Sequence, residues 1–213
     1  YRTIKPGAVL LAFAATRNYH KMATAIENSG FEIMDMINWI YGSGFPKRKN
    51  LLKPAHEPIV MARKGVNKDL NLDECRVKSG DNPKRWTKPK GGYWKTDKDA
   101  KAELVENTKG RWPANIIHDG LDEQWARYFY SAKASKKEKD GSNHPTVKPV
   151  SLMRYLVKLV TPKEGLVLDP FAGTGTTGEA CILENRKYYL IEKTKEYIPD
   201  IENRLNKYRR LGI

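Results

Sequence analysis

The stretch Asp169-Pro170-Phe171-Ala172-Gly173-Thr174-Gly175-Thr176-Thr177-Gly178 decides how the rest of this 213-residue chain is interpreted. A short apolar run before it, Leu166–Leu168, predicts a strand, and the residues from Thr176 to Leu183 predict a helix. Glycines at 173, 175 and 178 have the spacing of loops that bring the backbone close to a bound dinucleotide. The stretch therefore predicts a strand, a ligand-binding loop and a helix, which together form the repeating unit of an α/β fold.

Two acidic residues near this loop narrow the choice of ligand. Glu192 ends the next predicted strand, Tyr188–Ile191, where its carboxylate would accept hydrogen bonds from two adjacent ribose hydroxyls. Asp169 stands at the carboxyl end of the preceding strand, where it would repel a pyrophosphate and attract a cation. S-adenosylmethionine carries an adenosine, an ammonium and a sulfonium but no phosphate, so it fits this pair better than NAD does. The alternative is a tight strand-to-helix turn beside an ordinary surface glutamate.

The first third of the chain also alternates between predicted strands and helices. An apolar run over 7–15 predicts a strand buried on both faces, which is typical of parallel sheets covered by helices. Helical spacing over 19–26 follows, with Thr16 as a candidate cap and Gly30 as the stop. Further predictions are strands over 31–41 and 58–63, a helix from Ser151, a capping box from Thr176 to Glu179, and a last helix starting near Pro199.

Residues 65–140 differ from their surroundings because apolar residues are sparse there. Within 84–101, seven lysines and arginines face two aspartates and are interleaved with Trp86, Tyr93 and Trp94. Cations contact phosphates and aromatic rings stack on bases, so this segment predicts a nucleic-acid contact; the alternative is a solvated charged face. The formal net charge of +14 favours a polyanionic partner over the alternative of a generally lysine-rich composition.

Cysteine content and hydropathy exclude several classes of protein. Cys75 and Cys181 lie far apart and show no metal-ligand spacing, so neither a disulfide framework nor a zinc site is expected. No apolar run approaches the roughly 18 residues of a membrane span, and the first residues contain no signal-peptide core. We therefore expect a soluble cytoplasmic protein without a membrane partner.

Beyond the loop, several segments resemble the bacterial and phage DNA amino-methyltransferases that use S-adenosylmethionine. Asn143–Pro149, placed before an Asp-Pro-Phe-x-Gly-x-Gly-Thr-Thr motif, is similar to the cofactor half of that family. The order of sheet elements, variable module and cofactor loop resembles the family's permuted β group. Further similar segments are Arg17–Met22, Tyr41–Lys47, Lys53–Pro58, Gly110–Asn115 and Lys133–Lys137.

The resemblance implies an α/β fold in which a Rossmann-like sheet has helices on both faces and carries an inserted irregular target recognition module. It divides the chain into a catalytic-side half at 1–64, a recognition module at 65–140 and a cofactor-binding half at 141–213. It implies methyl transfer from S-adenosylmethionine to an exocyclic base amine in double-stranded DNA at a specific sequence, with adenine N6 favoured over cytosine N4. The host would be a bacterium or a phage-infected cell, and a homodimer is left open.

The resemblance also implies site residues. Those expected to line the cofactor pocket are Asp169, Pro170, Phe171, Ala172, Gly173, Gly175, Thr176 and Glu192. Those expected to close over the methionine end are Thr146, Lys148 and Pro149. Those expected to contact DNA are Arg17, Ser43, Lys47, Arg85, Lys88, Lys90 and Trp94. No metal ligand is expected.

One motif of the family is missing from this sequence. The family places an Asp, Asn or Ser before Pro-Pro and an aromatic residue, but the chain contains no Pro-Pro, so none of its residues is assigned as catalytic. Neither Cys75 nor Cys181 follows a proline, which argues against cytosine C5 methylation. Two alternatives stay open, namely an RNA base methyltransferase on the same scaffold and a catalytically incomplete DNA-binding module that retains the cofactor site.

The missing motif leads to a prediction about the polypeptide itself. We expect an N-terminal piece, on this polypeptide or on another chain, to supply the catalytic loop. We also expect a break in the chain between Asn50 and Leu51, which would separate their Cα atoms by clearly more than about 3.8 Å. The joins at 66–67 and 140–141 are weaker candidates for such a break.

Overall fold

The computed structural model describes residues 1–42, 52–66, 69–77, 84–86, 104–106, 110–118, 131, 133–139 and 142–209. The predicted joins at 50–51 and 140–141 lie outside these residues, and the join at 66–67 cannot be measured because residue 67 lies outside them. The strands are β1 Val9–Phe13, β2 Glu32–Ile40, β3 His56–Arg63, β4 Lys84–Trp86, β5 Leu104–Glu106, β6 Ile116–His118, β7 Leu166–Asp169 and β8 Lys187–Leu190. The helices are α1 Tyr19–Asn28, α2 Lys136–Lys139, α3 Val150–Val160, α4 Thr176–Leu183 and α5 Ile198–Arg209, with short 3-10 turns at Leu72–Cys75 and Lys195–Tyr197.

The central sheet has the strand order β1-β3-β2-β6. β3 runs antiparallel to both β1 and β2, and β6 runs parallel to β2. The expectation that β1 pairs in a parallel manner is therefore wrong, because an unbroken apolar run reports burial on two faces and not the direction of the neighbouring strand. β1, β2 and β6 all point the same way, so their carboxyl ends meet at one edge of the sheet.

Both faces of the central sheet are covered, as predicted. Ile59 and Met61 of β3 pack in one core with α3, while Val60 and Ala62 pack on the opposite face with α1. This alternation follows from the two-residue period of a strand. α1 is preceded by Asn18 and not by the predicted cap Thr16, and it ends before Gly30, whose φ of +102° a side chain would disfavour.

A second, two-stranded sheet carries the glycine-rich loop. β7 and β8 are parallel, and α4 connects them. α3 contacts both the central sheet and the unit that carries the loop. Leu152 and Leu156 pack against the central sheet. Val157 packs against Ala180 and Cys181 of α4. α3 therefore fixes the loop relative to the carboxyl edge of the central sheet.

Parts of the predicted recognition module lie within this core. β6 extends the central sheet, and Cys75 is buried against it in the cluster that includes α3. β4, which includes Arg85, pairs with β5 in a separate two-stranded sheet. The division of the chain at 65 and 140 remains a prediction. No helix in the described part of the chain is both long and apolar enough to cross a membrane.

Candidate active site

A cleft of about 2260 Å³ separates β1 from β7, and we refer to it as the cleft. Every residue of β1 and of β7 lines it. Because successive side chains of a strand point to opposite faces, a strand can present all its residues to one space only along its edge. Among the described residues β1 pairs with β3 alone and β7 with β8 alone. The cleft is therefore bounded by two strand edges that have no neighbouring strand.

The glycine-rich loop, residues 169–178, forms one end of the cleft, although Gly175 and Gly178 lie outside its lining. Gly173 and Gly175 adopt φ values of +55° and +78°, a region that residues with side chains rarely occupy. A Cβ atom at Gly173 would lie 3.1 Å from His144 Nε2, and one at Gly175 would lie 3.1 Å from Ile201 Cγ2. The loop therefore needs glycine at both positions for conformation and for space.

These geometries predict a graded loss of stability for three alanine variants. Gly175→Ala is expected to lower the free energy of unfolding most, since it adds a close contact to a left-handed backbone cost of roughly 1–2 kcal/mol. Gly65→Ala is the matched control, because its φ is +64° but nothing lies within 4 Å of the added Cβ. Gly42→Ala should leave the free energy of unfolding almost unchanged, because nothing lies within 4 Å of the added Cβ and φ is not in the left-handed region. Urea unfolding would measure the order, and equal losses at 175 and 65 would contradict the proposed contact.

Two carboxylates hold the loop from either side. Asp169 accepts hydrogen bonds from the backbone N–H of Phe171 at 3.0 Å and from Thr177 Oγ1 at 2.5 Å. Glu192 accepts from the backbone N–H groups of Thr194 and Gly173, each at 2.7 Å. The Thr194 N–H contributes most to lowering the pKa of Glu192, and the Gly173 N–H adds to it against the opposing effect of partial burial. Glu192 is therefore ionised at neutral pH.

Neither carboxylate forms an ion pair with any residue that the structure describes. Asp169 lines the cleft, whereas Glu192 lies just outside its lining and reaches the loop through Gly173. The charge of His144 helps to lower the pKa of Glu192 without forming an ion pair with it. Two carboxylates that form no ion pair in the described part of the chain are suited to a ligand that brings its own positive charge. Hydroxyl donors of such a ligand can share the same oxygens.

Lys148 lies at the carboxyl edge of the central sheet. Its Nζ is 2.7 Å from Glu57 Oε2, 4.5 Å from the ring centroid of Phe13 and 5.9 Å from that of Trp39. Lys148 and Glu57 both line the cleft, so the ion pair forms part of its wall. Glu57 lies in the segment Lys53–Pro58, but the resemblance implies no role for it, and its partner lies 91 residues away.

The other two residues predicted near the methionine end occupy different positions. Thr146 lines the cleft, and its backbone N–H donates to His144 Nδ1 at 3.2 Å. Pro149 is buried and precedes the first turn of α3, outside the lining of the cleft. Pro149 can therefore act on the cleft only through the position of α3.

The remaining predicted site residues are placed as follows. On the loop, Pro170 and Phe171 are exposed, Ala172 and Thr176 are buried, and all four line the cleft. Arg17 is exposed at the carboxyl end of β1 and also lines the cleft. Arg85 is described only as part of the backbone of β4. The predictions that lie outside the described residues are Ser43, Lys47, Lys88, Lys90 and Trp94.

The two cysteines are buried, and their thiols are poor nucleophiles. Burial raises the pKa of Cys75 to about 11 and that of Cys181 to about 12. Both therefore remain neutral thiols at physiological pH, and a thiol is a far weaker nucleophile than a thiolate. In the described ranges, no group of three or more His, Cys, Asp or Glu side chains could hold a metal ion.

A family model described as DNA methylase, N6_N4_Mtase, matches residues 1–203. The chain belongs to this family. The family prediction made from the sequence is therefore confirmed. The chain is similar to the type II methyltransferase M.HindIII of Haemophilus influenzae, with 30% identity over 211 residues that cover 96% of the chain and 65% of the relative. It is also similar to M.HpaI of Haemophilus parainfluenzae, with 27% identity, 97% of the chain and 56% of the relative covered.

Solved structures confirm the fold class of this chain. It is similar to the M1.HpyAVI–SAM complex, with a TM-score of 0.59, 23% identity, and 95% of this chain and 76% of the other covered. It is similar to the cytosine-N4-specific PvuII DNA methyltransferase, with a TM-score of 0.60, 17% identity, and 98% and 71% covered. The predicted α/β methyltransferase sheet is therefore confirmed. The chain spans between 56% and 65% of the length of M.HpaI and M.HindIII.

Proposed function

We propose that this protein transfers a methyl group from S-adenosylmethionine to an exocyclic amine of a base in double-stranded DNA at a specific sequence. The observation that supports this most is the pair of carboxylates, Asp169 and Glu192, which are hydrogen-bonded to the glycine-rich loop and form no ion pair among the described residues. Adenine N6 is the preferred acceptor and cytosine N4 the second. Nucleoside analysis of methylated DNA should yield N6-methyl-2′-deoxyadenosine, and N4-methyl-2′-deoxycytidine would reassign the acceptor.

The carboxylates beside the loop are hydrogen-bond acceptors that fit S-adenosylmethionine. Asp169 would face its positively charged methionine part, and Glu192 would accept from the ribose hydroxyls while it keeps its backbone bonds. The bound cofactor supplies a methyl group on a sulfonium. The loop glycines permit close approach of the backbone, and the cleft holds the reacting amine in line with that methyl group. Positioning of this kind supplies most of the acceleration, since the amine needs no covalent nucleophile.

The acceptor base has to leave the DNA stack to reach the cleft. The carboxyl edge of the central sheet is suited to a flipped base and its phosphates, because the exposed Arg17 lines the cleft and Lys133 Nζ lies 3.6 Å from the ring centroid of Tyr41. The net charge of +14 is consistent with a polyanionic substrate. Methyl transfer from tritiated cofactor into duplex DNA would support the proposal. Transfer into RNA alone, or into neither, would instead support one of the two alternatives.

The cleft is also the place where a catalytic loop has to enter. In the part of the chain that the structure describes, the edges of β1 and β7 that face it pair with no strand, and a further strand could pair with both, as edge strands readily do. The chain spans less than two thirds of M.HindIII and M.HpaI, so a longer polypeptide can supply such a strand. We place the Pro-Pro-aromatic motif of the family at the end of that strand, beside Asp169.

A prediction concerns Arg85, Lys88 and Lys90, which we assign to phosphate contacts. Replacing all three with glutamine should weaken binding to every DNA sequence and lower the salt dependence of log K by about one unit for each lost contact. Fluorescence anisotropy over a salt series would measure the slope. An unchanged slope with relaxed preference at one base pair would show that these residues contact bases.

A further inference from the structure

Arg204 of α5 is a buried arginine whose guanidinium joins three separate segments. Its side chain is 5% exposed. Nε donates to the carbonyl of Thr174 at 2.8 Å, Nη1 to Glu179 Oε2 at 2.5 Å, and Nη2 to the carbonyl of Glu138 at 2.6 Å. A planar guanidinium holds such bonds in fixed directions, so the three partners are held in fixed relative positions.

The first partner belongs to the cofactor loop. Thr174 is 3% exposed and lies between Gly173 and Gly175, the two residues with left-handed backbone. Its carbonyl points away from the loop into Arg204, so the arginine stabilises a conformation that the glycines only permit. Glu179 compensates the buried positive charge, and its second oxygen accepts from the Tyr208 hydroxyl at 2.6 Å.

The third partner belongs to a basic segment, residues 133–139, that precedes α3. Glu138 ties this segment to its surroundings, because its side chain accepts from the backbone N–H of Ser135 at 2.8 Å and from that of Val150 at 3.2 Å. Lys133 lies over Tyr41 at the carboxyl edge of the central sheet. The exposed lysines of the segment are Lys136, Lys137 and Lys139.

We propose that Arg204 is a positioning residue that couples cofactor binding to the contact of segment 133–139 with DNA phosphates. The inference rests on the proposed function. When the cofactor orders the loop, the carbonyl of Thr174 takes a fixed position. Because the guanidinium of Arg204 donates to this carbonyl and to that of Glu138, the carbonyl of Glu138 is then fixed as well. Binding linkage is reciprocal, so DNA should tighten cofactor binding by the same factor as the cofactor tightens DNA binding.

The test uses the full-length protein, S-adenosylmethionine and a duplex that contains the recognition sequence. In the parent, saturating cofactor should tighten DNA binding by about fivefold or more, the lower range of allosteric coupling. Arg204→Lys keeps a charge for Glu179 but cannot reach both carbonyls, so it should reduce the coupling to less than about twofold. Tyr208→Phe is the matched control, because it removes a bond to Glu179 and leaves the guanidinium contacts intact; its coupling should equal that of the parent.

A second variant keeps the proposal testable if Arg204→Lys fails to fold in a thermal melt. Lys136→Gln with Lys137→Gln changes only exposed side chains of the segment. It should weaken DNA binding by a larger factor with cofactor than without it. Equal losses in both states would overturn the coupling, as would parent-like coupling in a folded Arg204→Lys protein. A parent that binds no cofactor would overturn this proposal and the proposed function together.

Discussion

Asp169→Asn is expected to weaken S-adenosylmethionine binding by about tenfold or more, because a hydrogen bond to a charged group contributes roughly 1.5–3 kcal/mol and 1.4 kcal/mol is a factor of ten. The amide is chosen over alanine for a structural reason. Its oxygen can still accept from the backbone N–H of Phe171, so the loop keeps its turn while it loses the negative charge. Calorimetric titration with the cofactor measures the change.

Two further variants make this result specific. Glu192→Gln should also weaken cofactor binding, since one amide oxygen cannot accept from Gly173, Thr194 and a ribose hydroxyl together. Glu27→Gln is the control, because it removes the same charge from an exposed position on α1. Its affinity for the cofactor should match that of the parent. If Asp169→Asn and Glu192→Gln both bind as the parent does, the two carboxylates do not hold the cofactor.

A polypeptide limited to residues 1–213 is expected to bind the cofactor but to transfer no methyl group to DNA above background. The residues described in the cleft contain no Pro-Pro-aromatic loop to accept the N–H bonds of the target amine and hold it in line. Orientation of reactants can account for roughly 7–11 kcal/mol of a barrier, so its loss removes most of the acceleration. A tritium-transfer assay at saturating cofactor and DNA measures the rate.

Complementation provides the control for this second prediction. A peptide with strand-forming residues that ends in the Pro-Pro-aromatic motif should restore transfer when added in excess, and the same peptide with Ala-Ala in place of Pro-Pro should not. Retained cofactor binding by the polypeptide distinguishes a missing catalytic group from a failure to fold. Robust transfer by residues 1–213 alone would show that we have misplaced the active site.

Local patterns predicted the secondary structure around the site well. Strand burial and helical spacing placed β1, α1, β2 and the loop between β7 and α4, because each depends on neighbours within a few residues. The predicted capping box is wrong for a related reason. Glu179 does not bond to the start of α4, which has no side-chain cap, because Arg204 and Tyr208 bind both of its oxygens from α5.

Contacts between distant segments explain what the sequence could not indicate. The pairing of Lys148 with Glu57 depends on how β3 enters the sheet, and the antiparallel direction of β1 depends on β3 as its neighbour. No spacing rule connects residues 57 and 148. The cofactor contact assigned to Lys148 by resemblance thus remains a prediction, and the structure adds an ion-pair partner that the cofactor would have to share.

Among the described strands, β1 and β7 each have an edge that pairs with no other strand, and this has a practical consequence for handling the purified polypeptide. Leu166, Leu168 and Phe171 are 66%, 43% and 87% exposed, beside strand backbone that can hydrogen-bond to another chain. Such edges favour aggregation, strand exchange between copies and precipitation as the protein concentration rises. A dimer seen in gel filtration of residues 1–213 could then arise from these edges alone. Screening at low concentration, or with a capping strand fused upstream, would separate that artefact from a native assembly.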